Sequence, residues 1–378
     1  MFIFGTLLGS CGGAEPKRPV VSEAEVKPQA EAAFAAFVAS ARIETRETVF
    51  DVRCTVNGYE VTLSGKTSDP SLKDAAIKAV SSVQGARVAD QISVLPARDL
   101  AERTFGIVKV PVLNLGDAPG RAGGSHTVTQ ARMGDVLRLL EMDKGSGWYL
   151  AQMDDGYLGW VDPAAVYVCD KSQLDAFRKA PVALISAKTL PALKVPGGET
   201  AFTLVQGTVL PLVRKDGEWA TLRLPGAGEV SVQASGVIEY DSPDEVFAEK
   251  RGADAVIATA KQFVGLPYLW GGTTALGFDC SGLVQYCFKM NGYRLRRDAD
   301  LQYQQGEPVP NRASLRPGDL VFFQTYKEGP SHVGIYIGDS KYIQSGSSGL
   351  SILSFNTADP DYSASLDKAY LGARRIIK

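Results

Sequence analysis

The sequence predicts a multidomain α+β protein, and three features lead there. At 378 residues the chain is longer than one hydrophobic core comfortably fills, so about two to four folding units are expected. Two consecutive stretches, 101–170 and 171–243, consist of short β-branched runs interrupted by glycine, the pattern of small β-barrels. The last stretch, 244–378, shows helical periodicity first and strands afterwards, the order of an α+β domain.

The elements follow in chain order. Residues 1–11 form a short apolar stretch with small residues, ending in Leu8-Gly9-Ser10-Cys11. This resembles a bacterial lipoprotein signal and implies a lipid anchor at Cys11 and a place in the cell envelope, at the periplasmic or outer surface. Polar, proline-bearing sequence then reads as a tether to residue 29. Residues 30–100 alternate between helical and strand patterns: an alanine-rich segment from Ala30, strands over 50–54 and 59–65, a helical pattern to Val83, and a strand over 88–95. The run VTLSGKTSDPSLKDAAIKAVSSVQGARVADQISV resembles the BON domain, a small envelope-associated module.

In each barrel stretch a glycine opens a strand (Gly134, Gly207), a tryptophan follows a tight turn (Trp148, Trp219), and a glycine-bearing hairpin closes the unit. Both are similar to bacterial SH3-type domains, the first chiefly through Asp155-Gly156-Tyr157-Leu158-Gly159-Trp160. Residues 244–378 begin with alanines and aliphatics at helical spacing to about Phe263, stopped by Gly265 and Pro267. A second helix opens at Cys280, with Leu283, Val284 and Cys287 inward and Gly292 as its stop. Strands are expected over 319–323, 332–337 and 341–345, and from Lys368 to the end.

The 40 basic and 42 acidic side chains nearly cancel, so no overall field favours nucleic acid or an anionic membrane. Five scattered cysteines provide neither a disulfide scaffold nor a CxxC metal motif, and two histidines are too few for a histidine-rich zinc site. No metal and no cofactor are expected. Cys280 and Cys287, if they share a helix, are separated by a rise of about 10 Å, too far for a disulfide.

The chemistry is expected at Cys280. A thiol attacks as thiolate, and its pKa falls at a helix N-terminus and beside an imidazole. Cys280 opens a predicted helix, and His332 starts a strand able to lie against it. Gln344, on the following strand of a hairpin, can accept the second imidazole N–H and fix the ring. The segments YLWGGTTALGFDCSGLVQYCF, RRDADLQ, LRPGDLVFF and HVGIYIGDSKYIQS resemble, in order and spacing, the motifs of NlpC-type papain-like peptidases.

The resemblance implies a papain-like domain in which Cys280 is nucleophile, His332 base, Gln344 the third polar site and Tyr268 an oxyanion-hole donor. The pairing with SH3-type domains resembles the γ-D-glutamyl-L-diamino-acid endopeptidases, which act on peptidoglycan stem peptides with a free N-terminal L-alanine. Asp279, Ser281 and Asp298 then stand at peptide-binding positions, Tyr157 of the first barrel closes the pocket, and Asp135 is a further acidic candidate. Ala299 stands where related sequences often have serine. Asp279 also fits a helix cap. An endopeptidase acting on uncut murein and a non-catalytic wall-binding protein are the alternatives.

Overall fold

The computed structural model describes residues 21–179 and 181–378, so the signal-like stretch and Cys11 lie outside the described residues. The chain divides into two compact units. Among the described residues, one comprises those up to Ile43 with Val49–Val94, and the other comprises Glu44–Thr48 with those from Leu95 to Lys378.

In the first unit, helix α1 (Glu23–Ala41) precedes strands β1 (Phe50–Asn57) and β2 (Glu60–Thr67), helix α2 (Pro70–Ser81) and strand β3 (Arg87–Val94). β1 and β2 form an antiparallel hairpin, and β3 returns parallel to β2 across α2, a βαβ crossover. Asp69 caps α2 by accepting from the Ser71 N–H at 2.8 Å, with Pro70 at the first helical position where no N–H is needed. The expected tether ends earlier than residue 29, because α1 starts at Glu23. There the Glu25 carboxylate accepts from the Ser22 N–H at 2.8 Å, and Val26 and Ala30 are fully buried against the sheet core. Pro28 forfeits one intrahelical bond, which this burial outweighs.

The second unit contains two seven-stranded barrels. The first is β4 (Phe105–Val108), β5 (Val112–Gly116), β6 (Thr127–Arg132), β7 (Val136–Met142), β8 (Tyr149–Gln152), β9 (Leu158–Val161) and β10 (Val166–Cys169). After helix α3 (Lys171–Phe177) comes the second: β11 (Val182–Ile185), β12 (Thr189–Leu193), β13 (Thr200–Val205), β14 (Val209–Asp216), β15 (Trp219–Arg223), β16 (Glu229–Gln233) and β17 (Val237–Tyr240). Their strand orders are β10-β4-β7-β8-β9-β5-β6 and, read from the matching end, β17-β11-β14-β15-β16-β12-β13. Strand for strand these are the same topology, so the looser second sequence pattern encodes the same barrel.

The remainder is helix α4 (Ala253–Lys261), the short hairpin β18 (Thr273–Thr274) and β19 (Gly277–Phe278), and helices α5 (Cys280–Lys289) and α6 (Ala299–Gln302). Strands β20 (Glu307–Val309), β21 (Leu320–Phe323), β22 (His332–Gly338), β23 (Lys341–Gly346) and β24 (Gly349–Ser354) follow, then helix α7 (Ala364–Ala369) and strand β25 (Tyr370–Arg375). The antiparallel sheet runs β20-β25-β21-β22-β23-β24, and α5 lies on β22 and β23. Leu283, Val284, Cys287 and Phe288 of α5 are fully buried with Phe322, Val333 and Ile343. The strand expected from Lys368 begins at Tyr370 instead, because Ser363 starts the helical turn α7 by accepting from the Leu366 N–H.

Candidate active site

Local structure fixes the thiol before anything else does. Asp279 is the N-cap of α5: it is extended, and its Oδ1 accepts from the Gly282 N–H at 2.6 Å. Gly282 is required, because a Cβ there would lie 2.1 Å from the Gly272 carbonyl oxygen. The same carbonyl accepts from the Asp279 N–H at 3.0 Å, so the Gly271-Gly272 turn clamps the start of the helix. Cys280, 7% exposed, receives backbone N–H groups of Ser281 and of Val333, the residue after His332. The sulfur is thus held between the N-terminus of α5 and the start of β22.

His332 and Gln344 share one face of the sheet. Gln344 pairs with Gly334, two positions along from His332, and glycine there leaves space between the two side chains. The amide favours a charged imidazole, yet His332 Nε2 and Gln344 Oε1 do not complete a hydrogen bond, and both are buried without another partner. Catalytic bonds of this kind often tighten only around substrate. Gln344 Nε2 donates to Ser351 Oγ at 3.0 Å, which turns its oxygen away from that neighbour and leaves it for the ring.

The electrostatics depart from the expected lowered thiol pKa. Burial, reinforced by the adjacent Asp279 charge, pushes Cys280 up to about 12, outweighing the two N–H groups and the Arg297 charge. Burial pushes His332 down to about 4 against the influence of Gln344 and Asp279. Both shifts favour a neutral thiol and a neutral imidazole. The Tyr268 hydroxyl is also raised, by burial and then by the Cys280 and Asp279 charges, which keeps it protonated as an O–H donor. Tyr326, which sequence reasoning missed, is pushed up to about 12 by burial and by Cys280 and Asp298. It packs edge-on to Trp270 on the exposed rim.

The sequence-predicted binding residues fall into three places. Asp279 and Ser281 are engaged internally by Arg297, which is 1% exposed. Its guanidinium donates to both Asp279 oxygens at 3.1 and 2.5 Å, to Ser281 Oγ at 2.9 Å and to Thr129 Oγ1 of the first barrel at 3.1 Å. Tyr157 and Asp298 meet across the barrel boundary, the Tyr157 hydroxyl donating to Asp298 Oδ2 at 2.9 Å. Asp135 stands apart, accepting from the Arg132 N–H at 2.7 Å in the turn after β6. Arg297 had a sequence signal in its place beside Asp298. Tyr326, in the loop before β22, had none.

A family model described as "NlpC/P60 family" matches residues 265–373, and one described as "Bacterial dipeptidyl-peptidase Sh3 domain" matches residues 120–166. The chain is 36% identical over 205 residues to a protein of Bacillus subtilis named gamma-D-glutamyl-L-lysine dipeptidyl-peptidase, covering 52% of this chain and 62% of that relative. It is 42% identical over 121 residues to the probable peptidoglycan endopeptidase LytE of the same organism, covering 32% of this chain and 34% of that relative. It thus spans under two thirds of the length of either. A crystal structure of an NlpC/P60 family protein from Bacillus cereus superposes with a TM-score of 0.62 at 24% identity, covering 72% of this chain and all of that one. This likeness shows the shared fold.

Proposed function

The chain carries an NlpC/P60 domain downstream of a bacterial SH3-type domain, and from that premise we propose that it is a cysteine endopeptidase of peptidoglycan stem peptides. The carrying observation is Cys280 at the N-terminus of α5, bonded by the Val333 N–H next to His332, with Gln344 on the same face of the sheet. As the sulfur attacks the scissile carbonyl, His332 takes the thiol proton. It then gives that proton to the leaving amine as the C–N bond breaks and a thioester remains. Water, deprotonated by the same imidazole, hydrolyses the thioester. Tyr268 and the backbone N–H at Cys280 would stabilise the oxyanion, each such donor being worth about 3 kcal/mol in the transition state.

The finer reading is cleavage between γ-D-glutamate and the diamino acid of a stem peptide with a free N-terminal L-alanine. The Tyr157–Asp298 pair supports it, because a desolvated ammonium demands an ionised acceptor with fixed geometry. The name of the Bacillus subtilis relative, gamma-D-glutamyl-L-lysine dipeptidyl-peptidase, describes a bond of this kind. Such a substrate lies in the cell envelope. A second reading, cleavage of uncut murein, is favoured by the relative named as a peptidoglycan endopeptidase.

Mass-spectrometric product analysis of L-Ala-γ-D-Glu-diaminopimelate, with and without an N-acetyl cap, tests both. Cleavage of the free-amine peptide alone, lost in Cys280→Ala, supports the finer reading. Equal cleavage of both moves the assignment to uncut murein, and cleavage of neither leaves a wall-binding protein.

A further inference from the structure

Residues 44–48 interrupt the first unit in sequence and belong to the second. They are built into it through both backbone and side chains. The Arg46 carbonyl accepts from the Leu158 N–H at 2.8 Å, immediately after Tyr157. The Glu47 carbonyl accepts from Gln152 Nε2 at 2.8 Å, and the Glu47 carboxylate takes two bonds from Arg296 at 2.7 and 2.8 Å.

The Arg46 guanidinium is thereby brought to the Asp298 carboxylate and commits all five of its donors there. Nε and Nη2 grip Glu44 at 2.7 and 2.8 Å. Nη1 reaches Asp298 Oδ2 at 2.7 Å and Asp300 Oδ1 at 2.9 Å, and Nη2 also reaches Asp300 Oδ2 at 2.8 Å. One guanidinium therefore holds three carboxylates, with Lys327 a further 3.8 Å from Asp300. Both side-chain bonds to Asp298, from Tyr157 and Arg46, end on Oδ2, and Oδ1 accepts none among the described residues.

We propose that Arg46, delivered on residues 44–48, is the positioning residue of the ammonium subsite: with Tyr157 it locks Asp298 through Oδ2 and leaves Oδ1 to meet the substrate's N-terminal amine. The inference rests on the free-amine reading above. It adds a residue 252 positions away from Asp298 in sequence. Three carboxylates this close would repel one another into other rotamers if no cation stood between them. Arg46 acts on the substrate through Asp298, so its removal should weaken binding more than turnover.

The test is steady-state hydrolysis of the free-amine and N-acetylated peptides by the full chain and by Arg46→Gln, Arg46→Lys and Glu44→Gln, with melting temperatures measured alongside. Arg46→Gln should raise KM for the free-amine peptide about tenfold, the worth of one charge-assisted hydrogen bond, with kcat moving less than about twofold. Its preference over the capped peptide should fall by the same factor. Arg46→Lys should restore part of the loss, because it returns the charge without the planar fork. Should Arg46→Gln fail to fold, Glu44→Gln keeps the guanidinium but loosens its grip, and a KM rise of about threefold is expected. A wild-type enzyme indifferent to the cap removes the ammonium subsite and this inference with it. A discriminating wild type whose variants keep its KM overturns this inference alone. A lower KM in Arg46→Gln also overturns it, since Arg46 would then be a competitor for the pocket.

Discussion

A neutral resting pair at Cys280 and His332 is the expectation most at odds with the usual picture of an activated cysteine, and its size follows from the site. With the thiol near 12 and the imidazole near 4, moving the proton from sulfur to nitrogen is uphill by about 8 pH units, or about 11 kcal/mol. Were the two opposite charges about 4 Å apart, an effective dielectric of about 20 would let them recover about 4 kcal/mol. The remaining gap, about 7 kcal/mol, puts the ion pair near one molecule in about 10⁵. Ultraviolet thiolate absorbance, taken as wild type minus Cys280→Ser from about pH 5 to 9, should therefore show no thiolate step. The acid limb of kcat/KM should lie near pH 4, where His332 takes its proton, and not near 6.5. One full equivalent of thiolate at neutral pH, lost with the His332→Gln substitution, would refute the reasoning. It would mean that the N-terminus of α5 and the imidazole together overcome burial.

The same depressed imidazole links stability to pH. Between 6.5 and about 4 the unfolded chain binds a proton at His332 that the native protein does not, so stability falls as pH falls through that window, by about 3 kcal/mol in all. Denaturant melts of wild type and His332→Gln should show this slope only in the wild type, and equal slopes would count against it. Replacing Arg297 with Met strands the buried Asp279 carboxylate and should cost about 3–5 kcal/mol, partly recovered by adding Asp279→Asn. A loss under about 1 kcal/mol in chemical denaturation would show the pair to be dispensable. Gly282→Ala drives a Cβ into the Gly272 carbonyl and displaces the first turn of α5, so kcat should fall about 100-fold while the chain stays folded. An unchanged kcat would mean that the clamp does not set the thiol's position.

How much of this was legible in the sequence depended on how local the cause was. Cys280, His332 and Gln344 sit on three local signals, a helix start, a strand start and a hairpin, and the register that places Gln344 opposite Gly334 follows from a short turn. The second barrel was legible for a related reason: glycine and tryptophan punctuation survives where side chains diverge, and it specifies the same strand order. The start of α1 was misread because Pro28 looks like a linker residue, and only the burial of Val26 and Ala30 reveals the helix around it.

The protonation that burial favours differs from the one a helix start suggests for a deeper reason. A helix dipole can be read from sequence, but the burial that outweighs it belongs to the packed molecule. Arg297 and Arg46 lie at the far end of that scale. Arg297 is marked in the sequence only by its place beside Asp298 and becomes distinctive when the cap of α5 brings Asp279 and the first barrel brings the Thr129 hydroxyl to it, whereas Arg46 becomes distinctive only when residues 44–48 carry it to Asp298 and Asp300. The two guanidiniums divide the acids of the cleft between them. Arg297 takes Asp279, the buried cap beside Cys280, and Arg46 holds Asp298, which keeps part of its side chain exposed. Under the proposed function, motifs on one segment supply the reaction, and residues carried in from other segments would supply its selectivity among peptides.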